Sequence, residues 1–359
     1  MNNYIPLLFV AVLINTAYGQ PITGKVIDDH GDPLPFAHVI MGNNGSVTNV
    51  EGYYVLQNEE NDSILNVTFV GFNPARVNIH KEPYDIIKLE PSSINLDEVT
   101  VIVGPEVLDE FQIRTIVNYE MEAQRMTSYY KEKLVGNDSL FYLAEGILDI
   151  YEPSNVSDKK VQINPIRTRR KVMRDIDPNQ ITLISGSAFD MVKSSIWREN
   201  TFLSDENIQN YEFEFLGKVP YNERKVFRII FFPKNSKGYI SGEMFIEEES
   251  YAIVKLVYEP EVKSNMIWSW VKWTEEFDNF NGNYQLTCVT FNGKWEEMNT
   301  KFEYEALLIN SDFIKSKPEY ILNPTITKKD IFVEKAADDF SEAFWDGYNF
   351  LKLTDSETE

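Results

Sequence analysis

From about residue 138 to residue 333 the chain is mostly a succession of strand-length segments. "KVFRIIFF", "YISGEMFIEEE", "YAIVKLVYE", "VKWTEEFD", "YQLTCVTF" and "KFEYEALLIN" each alternate or run apolar over the length of a strand. Turn signals such as "PKNSKG", "NFNGN" and "NG" separate them. Consecutive hairpins of this kind build an antiparallel meander with one face on a core. "KVFRIIFF" sharpens the expectation. Phe227, Ile229 and Phe231 fall on one side of the strand, and Val226, Ile230 and Phe232 on the other. A half-solvated sheet would be polar along one face, so both faces here are expected to meet apolar material.

Residues 21 to about 96 also read as strands, but shorter ones. Ile22, Gly24 and Val26 alternate with polar positions, and "DDHGDP" makes a turn. "PFAHVIM", "GYYVL", "ILNVTFVGF", "ARVNI" and "YDIIKL" follow as strands, with "GNNGS" as a loop. Strands this close, with no helical pattern between them, imply a small antiparallel sandwich. Gly52 permits the turn before Tyr53, while Pro33 and Pro35 limit pairing at an edge.

Between the two strand regions, "GPEVLDEFQIRTIVNYEMEAQRM" switches to helical spacing. Leu108, Phe111, Ile116, Tyr119, Ala123 and Met126 would share one face. Pro105 suits the first turn, and Glu106, Asp109 and Glu110 favour the positive end of the helix dipole. The expected organisation is therefore a leader over 1–19, a sandwich over 20–96 and a linker over 97–104. A helix plus curved-sheet domain follows over 105–335, and an acidic aromatic tail over 336–359. The fold class is mainly β.

The leader is an apolar run from Ile5 to Ile14, too short to span a bilayer. Ala17 and Gly19 form a small-residue site that would be cut between Gly19 and Gln20, marking an exported protein. No Cys follows the run for acylation, and nothing after residue 20 has the length of a transmembrane helix. The single Cys288 excludes an intrachain disulfide and any cysteine-based metal cluster. The formal net charge of −22 argues against a nucleic-acid partner and disfavours adsorption to an anionic membrane surface.

The order of "GKVID", "GDPLPFAHV", "TNVEGYY" and "VTFVGF" resembles the carboxypeptidase-regulatory-like domain. That resemblance implies a transthyretin-like, seven-stranded β-sandwich of the kind common in Bacteroidetes envelope proteins. "INLDEVTV", residues 94–101, is similar to the segment that follows this domain in TonB-dependent receptors, but the remaining length cannot hold a plug and a large barrel. "TSYYKEKL", "FYLAEGILDIYEPS", "FRIIFFPKN", "GEMFIEEESYAIVKL" and "FWDGYNFL" resemble an uncharacterised envelope family. Its second domain is similar to the half-barrel of periplasmic lipoprotein carriers, a curved antiparallel sheet cupping helices.

A metallopeptidase needs side-chain metal ligands and a carboxylate to activate water. His30, His38 and His80 all lie in the small sandwich, and none begins an H-x-x-E or H-E-x-x-H pattern. No metal site, cofactor or catalytic residue is therefore expected, and the regulatory-like module comes without a peptidase domain. G-x-S-x-G, P-loop and dinucleotide motifs are missing. Glu247, Glu248 and Glu249 read as a solvated hairpin end, although carboxylates distant in sequence would leave room for a hydrolase of peptide or glycan.

Three features are candidate sites. Arg167, Arg169 and Arg170, with Lys171 and Arg174, would bind an anionic head group or an acidic partner; the alternative is that they pair with neighbouring carboxylates. Trp268 and Trp270 would share one strand face, with Trp273 on the other, and would stack on sugar or line an apolar cleft; the alternative is core or rim packing. Ser63 in "DSI" and Ser139 in "DSL" resemble the O-glycosylation motif of exported Bacteroidetes proteins. The expected function is non-catalytic binding at the periplasm or outer membrane, to an envelope protein or to an apolar, lipid-like ligand in a second-domain cleft. Full cover of the sheet by the helix and by Phe340, Phe344, Trp345, Tyr348 and Phe350 would confine binding to the rim.

Overall fold

A computed structural model describes residues 21–41, 44–49, 51–56, 62–81, 83–92, 104–154, 160–174, 182–197, 201–204, 206–221, 224–263, 266–280, 282–314, 318–337 and 345. The expected leader with its Gly19/Gln20 cleavage point, the linker up to residue 103 and all of the tail past 337 except Trp345 lie outside the described residues.

The N-terminal unit has seven strands: β1 (Ile22–Ile27), β2 (His38–Met41), β3 (Asn44–Val47), β4 (Tyr53–Leu56), β5 (Ile64–Thr68), β6 (Ala75–Asn78) and β7 (Ile86–Lys88). They form two sheets, ordered β4-β1-β7 and β3-β2-β5-β6. Val26, Val39, Tyr54, Leu65 and Val67 fill the space between them. Gly52 has φ +80°, and a Cβ there would approach the carbonyl oxygen of Val26 to 2.5 Å, so the turn before Tyr53 needs glycine. Two features depart from the expectation. "GNNGS" contributes β3, whose Ser46 and Val47 pair with Val39 and His38. β1 and β7 run parallel, Val26 opposite Ile87.

Helix α1 (Gly104–Asn118) buries Val107, Leu108 and Phe111. It ends earlier than its spacing suggests. Tyr119 leaves the helix to bridge Tyr284 and donates its hydroxyl hydrogen to the Ile253 carbonyl at 2.9 Å. Met126, expected on the helix, instead belongs to the first strand of the large sheet, where "RMTSYY" has the β-branched and aromatic content that favours pairing.

The large sheet comprises β8 (Gln124–Gly136), β9 (Ser139–Glu152), β10 (Gln162–Val172), β11 (Tyr211–Tyr221), β12 (Arg224–Pro233), β13 (Ile240–Glu247), β14 (Ile253–Pro260), β15 (Trp270–Phe280), β16 (Asn283–Glu297) and β17 (Thr300–Ile314). Their order is β10-β9-β8-β17-β16-β15-β14-β13-β12-β11, antiparallel throughout. Among the described residues β10 and β11 are edges, so the sheet stays open. Bulges at Pro165/Arg167, Phe215/Gly217, Phe245/Ile246 and Glu276/Phe277 break the register, and such bulges bend and twist strands.

Both faces are covered, as the double-sided apolar pattern requires. Phe227, Ile229, Phe231 and Val226 are buried, whereas Phe232 is 38% exposed, so cover on the second side gives out at that end of β12.

Candidate functional site

The register places Phe231, Met244, Leu256, Glu275, Val289, Leu308 and Tyr130 along one face of the sheet. Among the described residues no single continuous layer fills this trough. It is occupied by α1, whose Val107, Leu108 and Phe111 cluster with Ile229, Phe231 and Leu256, by the connection between β10 and β11, which includes helix α2 (Ser187–Val192), and by helix α3 (Phe332–Lys335). Ala188, Met191 and Val192 of α2 join Phe332 and Val333 of α3 in one cluster with Tyr130, Leu148 and Leu308. Further along, Phe202 stacks on Phe231 with ring centroids 4.4 Å apart.

Two buried carboxylates clasp this occupant. Glu132 accepts hydrogen bonds from Tyr130 (2.8 Å), Tyr304 (2.9 Å), the Ser187 hydroxyl (3.2 Å) and the Val333 backbone N–H (3.0 Å). Burial pushes its carboxyl above the usual range, against the pull of those donors. Glu275 accepts from the Ser194 hydroxyl, from the Ser195 N–H at 2.9 Å and from Tyr258 at 3.1 Å. The sheet therefore uses two buried carboxyl groups to hold this connection in its trough.

The opposite face carries the sandwich. His38 Nε2 lies 2.8 Å from Glu276, whose other oxygen is 2.7 Å from Lys255 Nζ; Asp278 is 4.0 Å from His38 Nδ1. Burial alone would raise the Glu276 carboxyl, but Lys255 and His38 hold it down to about 2. Burial opposes charge on His38, yet Glu276 and Asp278 raise its pKa. Lys255 also lies over the Phe69 ring, 4.9 Å from its centroid, and Phe36 packs beside Tyr129, Ile147, Leu307 and Trp345.

A third feature is an open cleft of about 780 Å³ lined by Arg224, Lys225, Glu247, Glu248, Glu249, Ser250, Asn279 and Tyr284. Although burial raises its pKa, Ser250, Tyr284 and Arg224 together hold the Glu247 carboxyl below its ordinary value. That is the opposite of what a general acid needs.

Residues 22–101 match a known domain family over the whole N-terminal unit. The unit is a CarboxypepD_reg-like domain. No curated protein matches the chain. The large sheet that follows the CarboxypepD_reg-like domain is similar to several solved structures. One is an outer membrane lipoprotein-sorting protein domain from Vibrio parahaemolyticus, 11% identical over 60% of this chain and 94% of that one, with a TM-score of 0.29. Another is a LolA superfamily protein from Nitrosomonas europaea, at 13% identity, 61% and 94% coverage and a TM-score of 0.24. The MucA/MucB complex of Pseudomonas aeruginosa aligns at 7% identity, 57% and 94% coverage and a TM-score of 0.19. Likenesses this low assign no role to any residue.

The structure separates the residues singled out in the sequence. Strand alternation puts Arg167 and Arg169 on the face bearing the CarboxypepD_reg-like domain, and Arg170 on the trough face. Arg169 pairs with Glu145 at 2.5 Å and lies 4.5 Å from the Trp345 ring centroid; Arg170 donates to the Val333 carbonyl at 2.8 Å. Arg167 is exposed.

Trp268 and Trp270 do not share surroundings, because β15 starts only at Trp270. Trp268 packs on Phe291 and Trp295, over Gly293, where a Cβ would meet its ring at 2.4 Å. Trp273 packs on Phe291 as well, and Trp270 donates to Glu259 at 3.1 Å. Ser63 is half-buried ahead of β5, and Ser139 opens β9 after the turn residues Asn137 and Asp138. His30 lies in an exposed turn with Asp28 and Asp29. Of the tail aromatics, Trp345 is described. It is buried against Tyr129, Ile147 and Leu307, on the face opposite α2.

Glu132 and Glu275 went unread in the sequence, although a signal for them exists. In "YYKEKL" and "KWTEEF" they alternate with Tyr130 and Leu134, and with Trp273 and Phe277. A carboxylate on an apolar stripe is either a liability or a clasp.

Proposed function

We propose that this chain is an exported, non-catalytic binding protein of a bacterial envelope, periplasmic or associated with the outer membrane. Its large sheet is a trough for an extended apolar ligand such as an acyl chain. The observation that carries the reading is the trough's present occupant. Residues 187–197 and 201–203 are short helical pieces and irregular chain, not a continuous layer, and they present Ala188, Met191, Val192, Ile196, Phe202 and Leu203 as an apolar ligand would present its own surface. Seating depends on a few clasps at Glu132 and Glu275, so displacement requires few bonds to break. The export reading rests on the apolar run from Ile5 to Ile14 and its small-residue site. No helix among the described residues is long and apolar enough to cross a membrane.

The test is binding of a fluorescent fatty-acid probe to the mature chain and to Phe202→Ala. This substitution removes the stack on Phe231 and weakens the internal occupant. Probe affinity should rise in the variant. If neither protein binds probe while both stay folded by circular dichroism, the trough reading fails.

A further inference from the structure

The antiparallel order gathers particular connections at one rim of the large sheet: the β8–β9, β12–β13, β14–β15 and β16–β17 links and the C-terminal end of β10. This rim is unusually apolar for an exposed edge. Met298 is 69% exposed, Met266 55% and Met173 51%, with Val172, Ile267 and Tyr239 exposed beside them. Behind them runs a belt of rings, in which Trp295 and Phe302 are buried. Trp268 lies 5.2 Å from Trp295, Trp295 stacks 4.9 Å from Phe302, and Phe302 lies 5.4 Å from Phe141. Arg174 closes the belt over Phe141 at 5.0 Å.

The charge at this rim differs from that of the whole chain. Arg174, Lys234, Lys237, Lys263 and Lys301 are exposed there, with Lys171 half-exposed. The exposed carboxylates among the described residues of the rim are Asp138, Glu206, Glu212, Glu261 and Glu296, while Glu303 is taken by Lys294 at 2.6 Å. In a chain of net charge −22, such a near-balance sets the rim apart from the rest of the surface.

We propose that this rim docks onto a phospholipid surface. Methionine side chains adapt to a disordered apolar medium, and indole rings suit the head-group layer. Lys and Arg stems lie along apolar surface while their charges meet phosphate. The remaining negative charge of the protein does not cancel the attraction, because the field of an exposed charge is screened within about 8 Å at physiological ionic strength. The connection that fills the trough begins at the same rim, where the Thr182 N–H donates to Glu297 at 3.0 Å. Docking stands independently of whether the trough takes a ligand.

The experiment is co-sedimentation of the mature full-length chain with vesicles of phosphatidylethanolamine and phosphatidylglycerol, and with vesicles of phosphatidylcholine alone. The wild type should sediment with the first more than with the second and lose binding as salt rises. Met266→Glu combined with Met298→Glu should weaken binding about tenfold. Ile314→Glu at the end of β17 combined with Leu322→Glu after it, both exposed at the opposite rim, should leave it unchanged. Tryptophan emission should shift to the blue on vesicle binding. Failure of the wild type to sediment at low salt, indifference to phosphatidylglycerol, or equal loss in both variants overturns the proposal. So does a vesicle-free dimer that the Met266/Met298 variant abolishes, since the rim would then meet a second copy. The fatty-acid probe in solution reads the trough alone, so the two proposals can fail separately.

Discussion

Glu276→Gln tests the joint between the CarboxypepD_reg-like domain and the sheet. Glu276 is 4% exposed and sits between His38 at 2.8 Å and Lys255 at 2.7 Å. Its carboxyl falls from 4.5 to about 2 in the folded chain. At about 1.4 kcal/mol per pKa unit, the charged network contributes about 3 kcal/mol, counted once for the three residues together. A depressed carboxylate stabilises above its unfolded value of 4.5, and that stabilisation is lost as pH falls through about 2. The amide removes this acid-side loss and leaves Lys255 facing His38 without the intervening anion. The variant should therefore lose about 3 kcal/mol near neutral pH and show a flatter stability profile between about pH 4.5 and 2. His38 behaves in the opposite sense. Its raised pKa gives stability that is complete below 6.5 and lost as pH rises through the folded value, and this alkaline loss should shrink in the variant. Urea midpoints across the pH range, followed by tryptophan emission, measure both limbs, and a double-mutant cycle with Lys255→Met isolates the pair. A cost below about 1 kcal/mol near neutral pH, or an unchanged acid limb, refutes the reasoning.

Phe202→Ala should lower stability by about 3 kcal/mol through loss of the stack on Phe231, read from the same urea midpoints. Trp345→Ala removes an indole buried among Tyr129, Ile147 and Leu307 beneath the Arg169 guanidinium. Limited proteolysis should then release the N-terminal domain earlier than in the wild type, at a stability cost of about 3 kcal/mol. Asp138, with φ 61° in the β8–β9 turn, should gain about 1 kcal/mol on replacement by glycine, visible as a raised thermal midpoint.

The meander was legible because its period-two alternation survives in nearly every strand, and turn residues mark its hairpins. β3 was not, since Asn44-Gly45-Ser46 carries loop chemistry and becomes a strand only through pairing with β2. The end of α1 was hidden because Ala123 and Met126 continue the helical spacing, and only the pull of β9 on β8 decides the matter. The candidate site was the least legible. His38 and Glu276 are 238 residues apart, and no local pattern announces their meeting. The connection at 187–197 has neither strong periodicity nor clear caps, because its conformation is set by Glu132 and Glu275 on distant strands. The three arginines looked like one patch because the sequence shows adjacency, while a strand sends neighbours to opposite faces.

The large sheet is joined across a seam between β8 and β17, which pairs Tyr130 with Leu308 and Gly136 with Phe302. Everything between them in sequence must be synthesised before that seam can close. Until then β8, β9 and β10 form a short ribbon whose inner edge has no neighbour, and the other seven strands form a separate arm. Closure of so long a loop is slow, and sheets with such distant pairings fold late. Under the proposed export, lateness is useful, because the first strands to be made cannot lock into a finished structure on the wrong side. The same delay exposes the β8 edge to other chains, so a holding chaperone on the far side should raise the yield of the folded protein.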